Sequence, residues 1–555
     1  MLLKGGFFRE RERLSSQPGL AMTLGLALAL ALLAAAAAAT TATTTTTAAA
    51  VDVALVVSQR FVGSAQGSVD EQNNLTLAAM EEYILQGIKD YRRKEGEESA
   101  PLFVFPEAVL WWYLPTKPQA LAAASEHVTV SDGVPKLFPC EQQQQQPNAT
   151  TTDDVLSRLA CLARAHGVFL VANLPTKNDQ LLYNTAAAFA PSGQLLATYR
   201  KTHHWGANPP FDAPVQPDVS VFVGPAKRRF GLLVCFDLEF REPAASLLAL
   251  AQEIVIAAPM SWQNTYPLSW ATMYQQAFSV AHNATIVAAN DGNSAYSWGA
   301  GGYGAGGHVL AQAFSAANSS LQPVVLPIPS AALQPGGSRA GAGAGWVELG
   351  KQQQETETAG AFPCSFPVYG SGRCVAIDSR ASSVSVLVSA GAASCSFAYQ
   401  GLGLGGDDGS DGKKKQLVAV ALDATLPTGS ATPAELHVLL CGVVVCVPSE
   451  GKDKASGTTV CGPSFEPFSL SARSPADAAP HLSVTLRSPR LAEDYLLLPM
   501  LAGSDGLGLG PDQWSAAAAG PDDYQLGVVG KAEGEGEAVL GLSSLVLKAV
   551  DQTTR

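Results

Sequence analysis

Basic charge is scarce in this chain. Against 48 aspartates and glutamates stand 35 lysines and arginines, a formal net charge of −13 over 555 residues. A phosphate backbone is held by a basic face, so nucleic acid is excluded as the expected partner. Metal-binding patterns are lacking as well. The eight histidines include one close pair, His203-His204, which is read as lining a pocket mouth or capping a loop. The cysteines form no paired CxxC units, and Cys441, Cys446 and Cys461 lack the spacing of a zinc site. No metal and no cofactor are expected. There is no convincing internal repeat. Beyond the first 50 residues no apolar run reaches the length that spans a bilayer. The final stretch, Lys548 to Arg555, has no hydrophobic tail of the kind a lipid-anchor signal needs.

What is present at the start is a block to be set aside before any fold is considered. Arg9, Arg11 and Arg13 precede an apolar run from Met22 to Ala39, and an Ala/Thr tract follows. Basic, then apolar, then small is the order of a secretory signal peptide. The competing reading is an uncleaved signal-anchor, since the apolar run is about as long as a bilayer is thick. Cleavage is favoured because alanine anchors weakly and small residues suit a signal peptidase. Of nine cysteines, Cys364, Cys374, Cys395, Cys441, Cys446 and Cys461 crowd into the C-terminal third, which in a secreted chain reads as disulfides. Cys140 and Cys161 can form a further pair, leaving Cys235 as the odd thiol. Asn74, Asn148, Asn283 and Asn318 each begin an Asn-X-Ser/Thr glycosylation tripeptide.

The length predicts more than one domain. Short apolar runs at Val51 to Ser58, Leu102 to Phe105, Val168 to Asn173, Val219 to Val223, Arg229 to Val234, Ile254 to Ala258 and Thr285 to Ala289 read as strands. Between them, Asn73 to Arg93, Asp153 to His166, Glu242 to Gln252 and Ser269 to His282 read as helices, with Asp153 as an N-cap. Thr185 to Phe189 and Gln194 to Tyr199 flank the turn Pro191-Ser192-Gly193 and predict a hairpin. This alternation predicts a mixed sheet covered by helices. The expected organisation is a leader and low-complexity tract (1–50), a catalytic domain (51–328), a linker (329–361) and a β-rich C-terminal domain (362–550). Gly299 to Gly307 and Trp111 to Cys140 are read as loops.

Three chemically useful residues end or closely follow these runs: Glu107, Lys201 and Cys235. A thiolate attacks a carbonyl carbon well, but an ordinary cysteine needs a base or a cation to supply it at neutral pH. Glu107 can take the thiol proton and later return it to a departing amine. Lys201 supplies a positive charge for the oxyanion, with a backbone N–H from the turn after Cys235. Singly, each has an inert reading: a core thiol, a turn carboxylate, a solvated cation. Their joint occurrence at strand ends of one α/β region favours catalysis.

With Phe105-Pro106-Glu107, Tyr199-Arg200-Lys201-Thr202-His203 and Cys235-Phe236-Asp237-Leu238-Glu239-Phe240-Arg241-Glu242-Pro243-Ala244, the chain resembles the nitrilase superfamily of carbon–nitrogen hydrolases. It is most similar to the secreted biotinidase and pantetheinase (vanin) branch, a resemblance continued weakly by Met260-Ser261-Trp262 and Val287 to Asn290. The resemblance implies an αββα sandwich with a β-rich, disulfide-bearing appendage. It also implies hydrolysis of a linear amide, pantetheine or a biotinyl amide, through a thioester on Cys235, with Phe236 and Trp262 contacting substrate. A nitrile hydrolase and a catalytically silent secreted binding protein are the alternatives. The expected partner is a small-molecule amide, without a stable membrane anchor, and the expected state is a monomer. Two features depart from the family. The second glutamate that many relatives carry after the lysine is missing at Gly206-Ala207-Asn208, and Glu239 stands where relatives have an arginine or an apolar residue.

Overall fold

The computed structural model describes residues 51–57, 67–90, 100–110, 116–128, 139–140, 154–205, 210–250, 254–262, 271–290, 299–313, 324–329, 360–366, 370–378, 383–400, 402–404, 416–427, 435–448, 459–462, 468–470, 481–487, 496–503, 514–518, 523–529 and 537–550. The leader, most of the expected linker, Asn148, Asn318 and the Gly206-Ala207-Asn208 segment lie outside the described residues.

Two sheets carry the region up to residue 329. The first contains β1 (Val51–Val57), β2 (Leu102–Val104), β3 (Ser125–Glu126), β4 (Phe169–Asn178), β5 (Leu181–Phe189) and β6 (Leu195–Arg200). The second contains β7 (Val221–Val223), β8 (Arg229–Leu232), β9 (Ile254–Met260), β10 (Thr285–Asn290), β11 (Ala300–Gly304) and β12 (His308–Ala313). β13 (Val324–Pro329) returns to the first sheet, antiparallel to β1. The strand orders are β13-β1-β2-β4-β5-β6, with β3 beside β4, and β12-β11-β10-β9-β8-β7. In both, the central strands are parallel: β1, β2 and β4 in one, β8, β9 and β10 in the other. Such strands are covered on both faces, which is why they read as unbroken apolar runs rather than alternating ones. All seven residues of β9 are buried.

The faces sort by periodicity. Phe103, Leu170, Ala172 and Phe189 point to one side of the first sheet and pack with Met80 and Ile84 of α1 (Val69–Asp90) and with Leu159 and Ala163 of α3 (Val155–His166). A short α2 (Lys117–Ala123) lies beside β4 and β5. Leu102, Val104, Val171 and Tyr199 point the other way and share a core with Phe230, Leu232, Ile256 and Val287 of the second sheet. α4 (Ala244–Ala249) and α5 (Ala271–Ala281) add Leu247, Ala277 and Phe278 to it. Each fully buried leucine, isoleucine, valine or phenylalanine among these contributes about 1.5–3 kcal/mol. The layers therefore run helix, sheet, sheet, helix, as the resemblance implies.

Two local expectations need correction. The cap of α3 is Asp154, not Asp153: its carboxylate accepts from the Ser157 amide at 3.1 Å. The helix ends where Gly167 adopts a φ of 62° and its N–H closes on Ala163 and Arg164. Gly299 to Gly307 is not an open loop but supplies β11 and the turn into β12. A Cβ on Gly302 would fall 2.3 Å from Ile328, so the glycines there permit close packing of β11 under β13.

The C-terminal region is all β among the described residues, in a nine-stranded and a five-stranded sheet. Cys364–Cys374 closes the hairpin of strands Phe362–Phe366 and Gly370–Ala376, and Cys395–Cys441 joins the two sheets. Cys446 is disulfide-bonded too. Cys140–Cys161 fastens α3 to the preceding chain. Cys235 is the free cysteine, as the pairing arithmetic predicts. Buried side chains of this region, such as Phe366, Val418 and Val438, continue the core of the second sheet without a break.

Candidate active site

Glu107 follows β2 in a turn whose next residue, Ala108, takes a φ of 69°. Two bonds hold this turn: the Glu107 N–H donates to the Met260 carbonyl at 3.0 Å, and the Ala108 N–H to Asn173 Oδ1 at 2.9 Å. Asn173 in turn donates to Asn184 Oδ1 (2.6 Å), and Asn184 Nδ2 donates to Glu107 Oε1 (2.7 Å). Lys201 leaves β6 with its N–H bonded to the Asn184 carbonyl, and its Nζ reaches the same Oε1 at 2.6 Å. One carboxylate oxygen thus accepts from an amide and an ammonium.

Cys235 leaves β8 on a left-handed residue, φ 47°, at the head of a 3-10 turn, Cys235–Glu239. A non-glycine residue in this region costs about 1–3 kcal/mol and persists only when its surroundings enforce it. The conformation brings the sulfur within hydrogen-bonding reach of the Glu107 carboxylate and the Ser261 backbone N–H, with Lys201 close enough to act on it through its charge. All three side chains are closed off from bulk water: Glu107 is 4% exposed, Lys201 3% and Cys235 6%.

The electrostatics follow from this closure. Burial and the Glu107 charge push the Cys235 thiol well above its usual range, with Lys201 and the Ser261 amide pulling the other way. Burial acts against the Lys201 ammonium, but Glu107, Cys235 and Asp237 together outweigh it and hold its pKa above normal. The sulfur therefore keeps its proton at neutral pH, and a thiol so held acts as a nucleophile only when a neighbouring base takes that proton. Base, thiol and fixed cation are the set that acyl transfer at sulfur requires.

Residues 61–316 match the model of the carbon-nitrogen hydrolase family. They are a carbon–nitrogen hydrolase domain. Biotinidase of Rattus norvegicus is 37% identical to the chain over 157 residues, 26% of this chain and 30% of that protein. Biotinidase of Takifugu rubripes is 31% identical over 212 residues, 36% and 40% of the two lengths. Human pantetheine hydrolase VNN2 is 27% identical over 210 residues, 36% and 39%. The matches thus span less than half the length of these relatives. Among solved structures, an amidase from Nesterenkonia sp. is 22% identical, covering 52% of this chain and 94% of that one, with a TM-score of 0.33.

In the hydrolase domain a second buried carboxylate, Asp237, supports the turn that begins at Cys235. It accepts from the Tyr199 hydroxyl (2.7 Å), from the His203 N–H (2.8 Å) and from His203 Nδ1 (3.0 Å). The His203 ring stacks on Phe240 at 3.6 Å. Burial would raise the Asp237 carboxyl, but His203, Lys201 and Tyr199 hold it below the usual carboxylate range. A depressed folded-state value means stability that is present above the unfolded carboxylate pKa and lost as pH falls through the folded one. Asp237→Ala should cost on the order of 3 kcal/mol at neutral pH, because His203 and Tyr199 lose a buried partner, and the difference from wild type should shrink in acid. Thermal unfolding against pH checks this; a difference that does not change with pH would contradict it.

His203 and His204 are both buried, not at a pocket mouth. The burial of His204 lowers its pKa to about 4, helped by Lys201. Phe236, next to Cys235 in the chain, and Trp262, next to Ser261, are both buried. Phe236 meets the half-exposed Trp205 edge-on at 5.1 Å, and Trp262 packs on Tyr274 at 4.3 Å. Asp212 is bonded to Lys117 and accepts from the Leu182 N–H. Of the described sequons, Asn74 and Asn283 are exposed. No local pattern points to Asn173, which bonds Ala108 and Asn184, to Asn184, which bonds Glu107, or to the Ser261 amide; all of them reach the site from other strands.

Proposed function

We propose that this chain is a secreted amidohydrolase that cleaves a linear amide, of the pantetheine or biotinyl-amide class, through a thioester on Cys235. The observation that carries the reading is the sealed trio, with Lys201 Nζ 2.6 Å from a Glu107 oxygen and the Cys235 sulfur facing both. The biotinidase and pantetheinase relatives favour the substrate class.

In this mechanism Glu107 takes the thiol proton as sulfur bonds to the amide carbon and the carbonyl electrons move to oxygen. Lys201 and a backbone N–H from the nucleophile turn stabilise that oxyanion. Its collapse breaks the carbon–nitrogen bond, and Glu107 returns the proton to the departing amine. Water, deprotonated by Glu107, then attacks the thioester, releasing the acid and restoring the thiol. Disulfides and exposed sequons favour the secretory route, and no helix among the described residues is long and apolar enough to cross a membrane.

The test is to express the full chain in mammalian cells and assay the medium for amine release from pantetheine and from biocytin. Turnover of one substrate by secreted protein that starts after the Ala/Thr tract is the expected result. Inertness towards both, with hydrolysis of a small nitrile, would give the function to the nitrilase alternative. Recovery of activity in membranes with the Met22 to Ala39 peptide retained would replace secretion by anchoring.

A further inference from the structure

Asp237 stands two residues after Cys235, while Tyr199 and His203 stand two residues before and two after Lys201. The side chains that flank the cation are bonded to the one that follows the thiol. Asp237 Oδ2 accepts from the Tyr199 hydroxyl at 2.7 Å, and Oδ1 accepts from the His203 N–H at 2.8 Å and from His203 Nδ1 at 3.0 Å. A carboxylate only accepts, so Nδ1 carries the hydrogen of that contact. On its own turn Asp237 Oδ2 also takes the Val234 N–H at 3.3 Å. The bonds to this carboxylate thus bracket both Lys201 and Cys235. The His203 ring lies flat on Phe240, 3.6 Å away at an angle of 3°, and the Phe240 N–H closes on the Asp237 carbonyl at 3.2 Å. Tyr199 and Asp237 are fully buried, and His203 is 4% exposed. Asn184 ties Lys201 to Glu107; the tie between the segments of Lys201 and Cys235 runs through Asp237.

We propose that Asp237, with His203 and Tyr199, is a positioning unit that fixes the distance between the Lys201 ammonium and the Cys235 sulfur. Its effect on turnover rests on the amidase reading, whereas its effect on the thiol does not. A chain held at Tyr199 and at His203 leaves Lys201 between them little freedom, and a turn held at Val234 and at Asp237 does the same for Cys235. The hold is stiff because the carboxylate is dry: a donor that swings away leaves a buried charge less well satisfied. A nearby cation favours the thiolate, and an oxyanion needs its partner in place, so a shift of about 1 Å at Lys201 is felt in both. Loss of the unit therefore shows in rate more than in substrate affinity.

The test reads the thiol directly, through the rate of iodoacetamide alkylation of Cys235 at one fixed pH, alongside amide turnover, in the full secreted chain. His203→Phe keeps the stacked ring and the backbone N–H but removes the side-chain donor. Tyr199→Phe removes the hydroxyl alone. Each should slow alkylation at least about threefold and lower kcat about tenfold, with a smaller change in KM. His203→Asn returns an N–H donor at the place of Nδ1 and should recover most of both losses. In a Lys201→Met background the same substitutions should change either rate less than about twofold, because the cation they position is gone. If His203→Phe is not secreted, Tyr199→Phe tests the other oxygen of the same carboxylate. Wild-type rates in Tyr199→Phe, or losses that carry over undiminished into the Lys201→Met background, would overturn the proposal. So would a His203→Asn protein as slow as His203→Phe. Absence of amide turnover in wild type, with the alkylation rates as expected, would instead count against the amidase reading alone.

Discussion

Cys235→Ala should abolish amide hydrolysis while the protein is still secreted and folded. Alanine occupies the left-handed position about as well as cysteine does, as Ala108 and Ala226 show elsewhere in the chain, and the buried sulfur has no structural partner beyond the site itself. Glu107→Gln keeps the shape and an oxygen for Lys201 and Asn184, but it cannot accept a proton. Both halves of the reaction should slow sharply, because the thiol holds its proton at neutral pH and Glu107 is the base assigned to take it. With a good leaving group, acylation needs little help, but the attacking water still must be deprotonated. Intact-mass spectrometry of Glu107→Gln with a reactive ester or amide should therefore show an acyl adduct on the Cys235 peptide. An adduct on another residue, or turnover by Cys235→Ala, would remove the thioester from the mechanism.

Lys201→Met should lower kcat by a factor on the order of 10² or more, because losing one oxyanion partner costs about 3–4 kcal/mol. Substrate affinity should change less, since the charge is needed most as the oxyanion forms. The substitution also leaves the buried Glu107 carboxylate with Asn184 but without its cation, so stability should fall as well. Steady-state kinetics with a parallel thermal melt separates the effects. A raised KM with kcat intact would mean that Lys201 binds substrate and does not act on the transition state.

Asn184 shows why part of this site could not be read along the chain. Its side chain bonds Glu107 and its carbonyl bonds the Lys201 N–H, so it sets both groups at once. In the sequence it lies inside Leu181–Phe189, an ordinary strand, 77 residues from Glu107. Asn173, which bonds the Ala108 amide, is equally plain in β4. A buried amide in a strand looks the same whether it holds a catalytic loop or another strand. The Gly-rich segment at 299–307 was misread for a related reason: glycine marks a turn when alone, but here it makes room for Ile328 from another strand.

The sequence by itself determined the strand and helix runs, the pairing of cysteines that leaves Cys235 free, and which three side chains to propose for acyl chemistry. These follow from local rules: period, burial and the reactivity of single groups. Only the tertiary structure decided that Glu107 and Lys201, 94 residues apart, share one oxygen contact. It alone placed His203 on Asp237 and buried Glu239 at the end of the turn that begins at Cys235. The reason is closure. Once two sheets pack face to face, distant strand ends meet in a volume without water, where each charge must find a partner, and that requirement is written in no single segment of the chain.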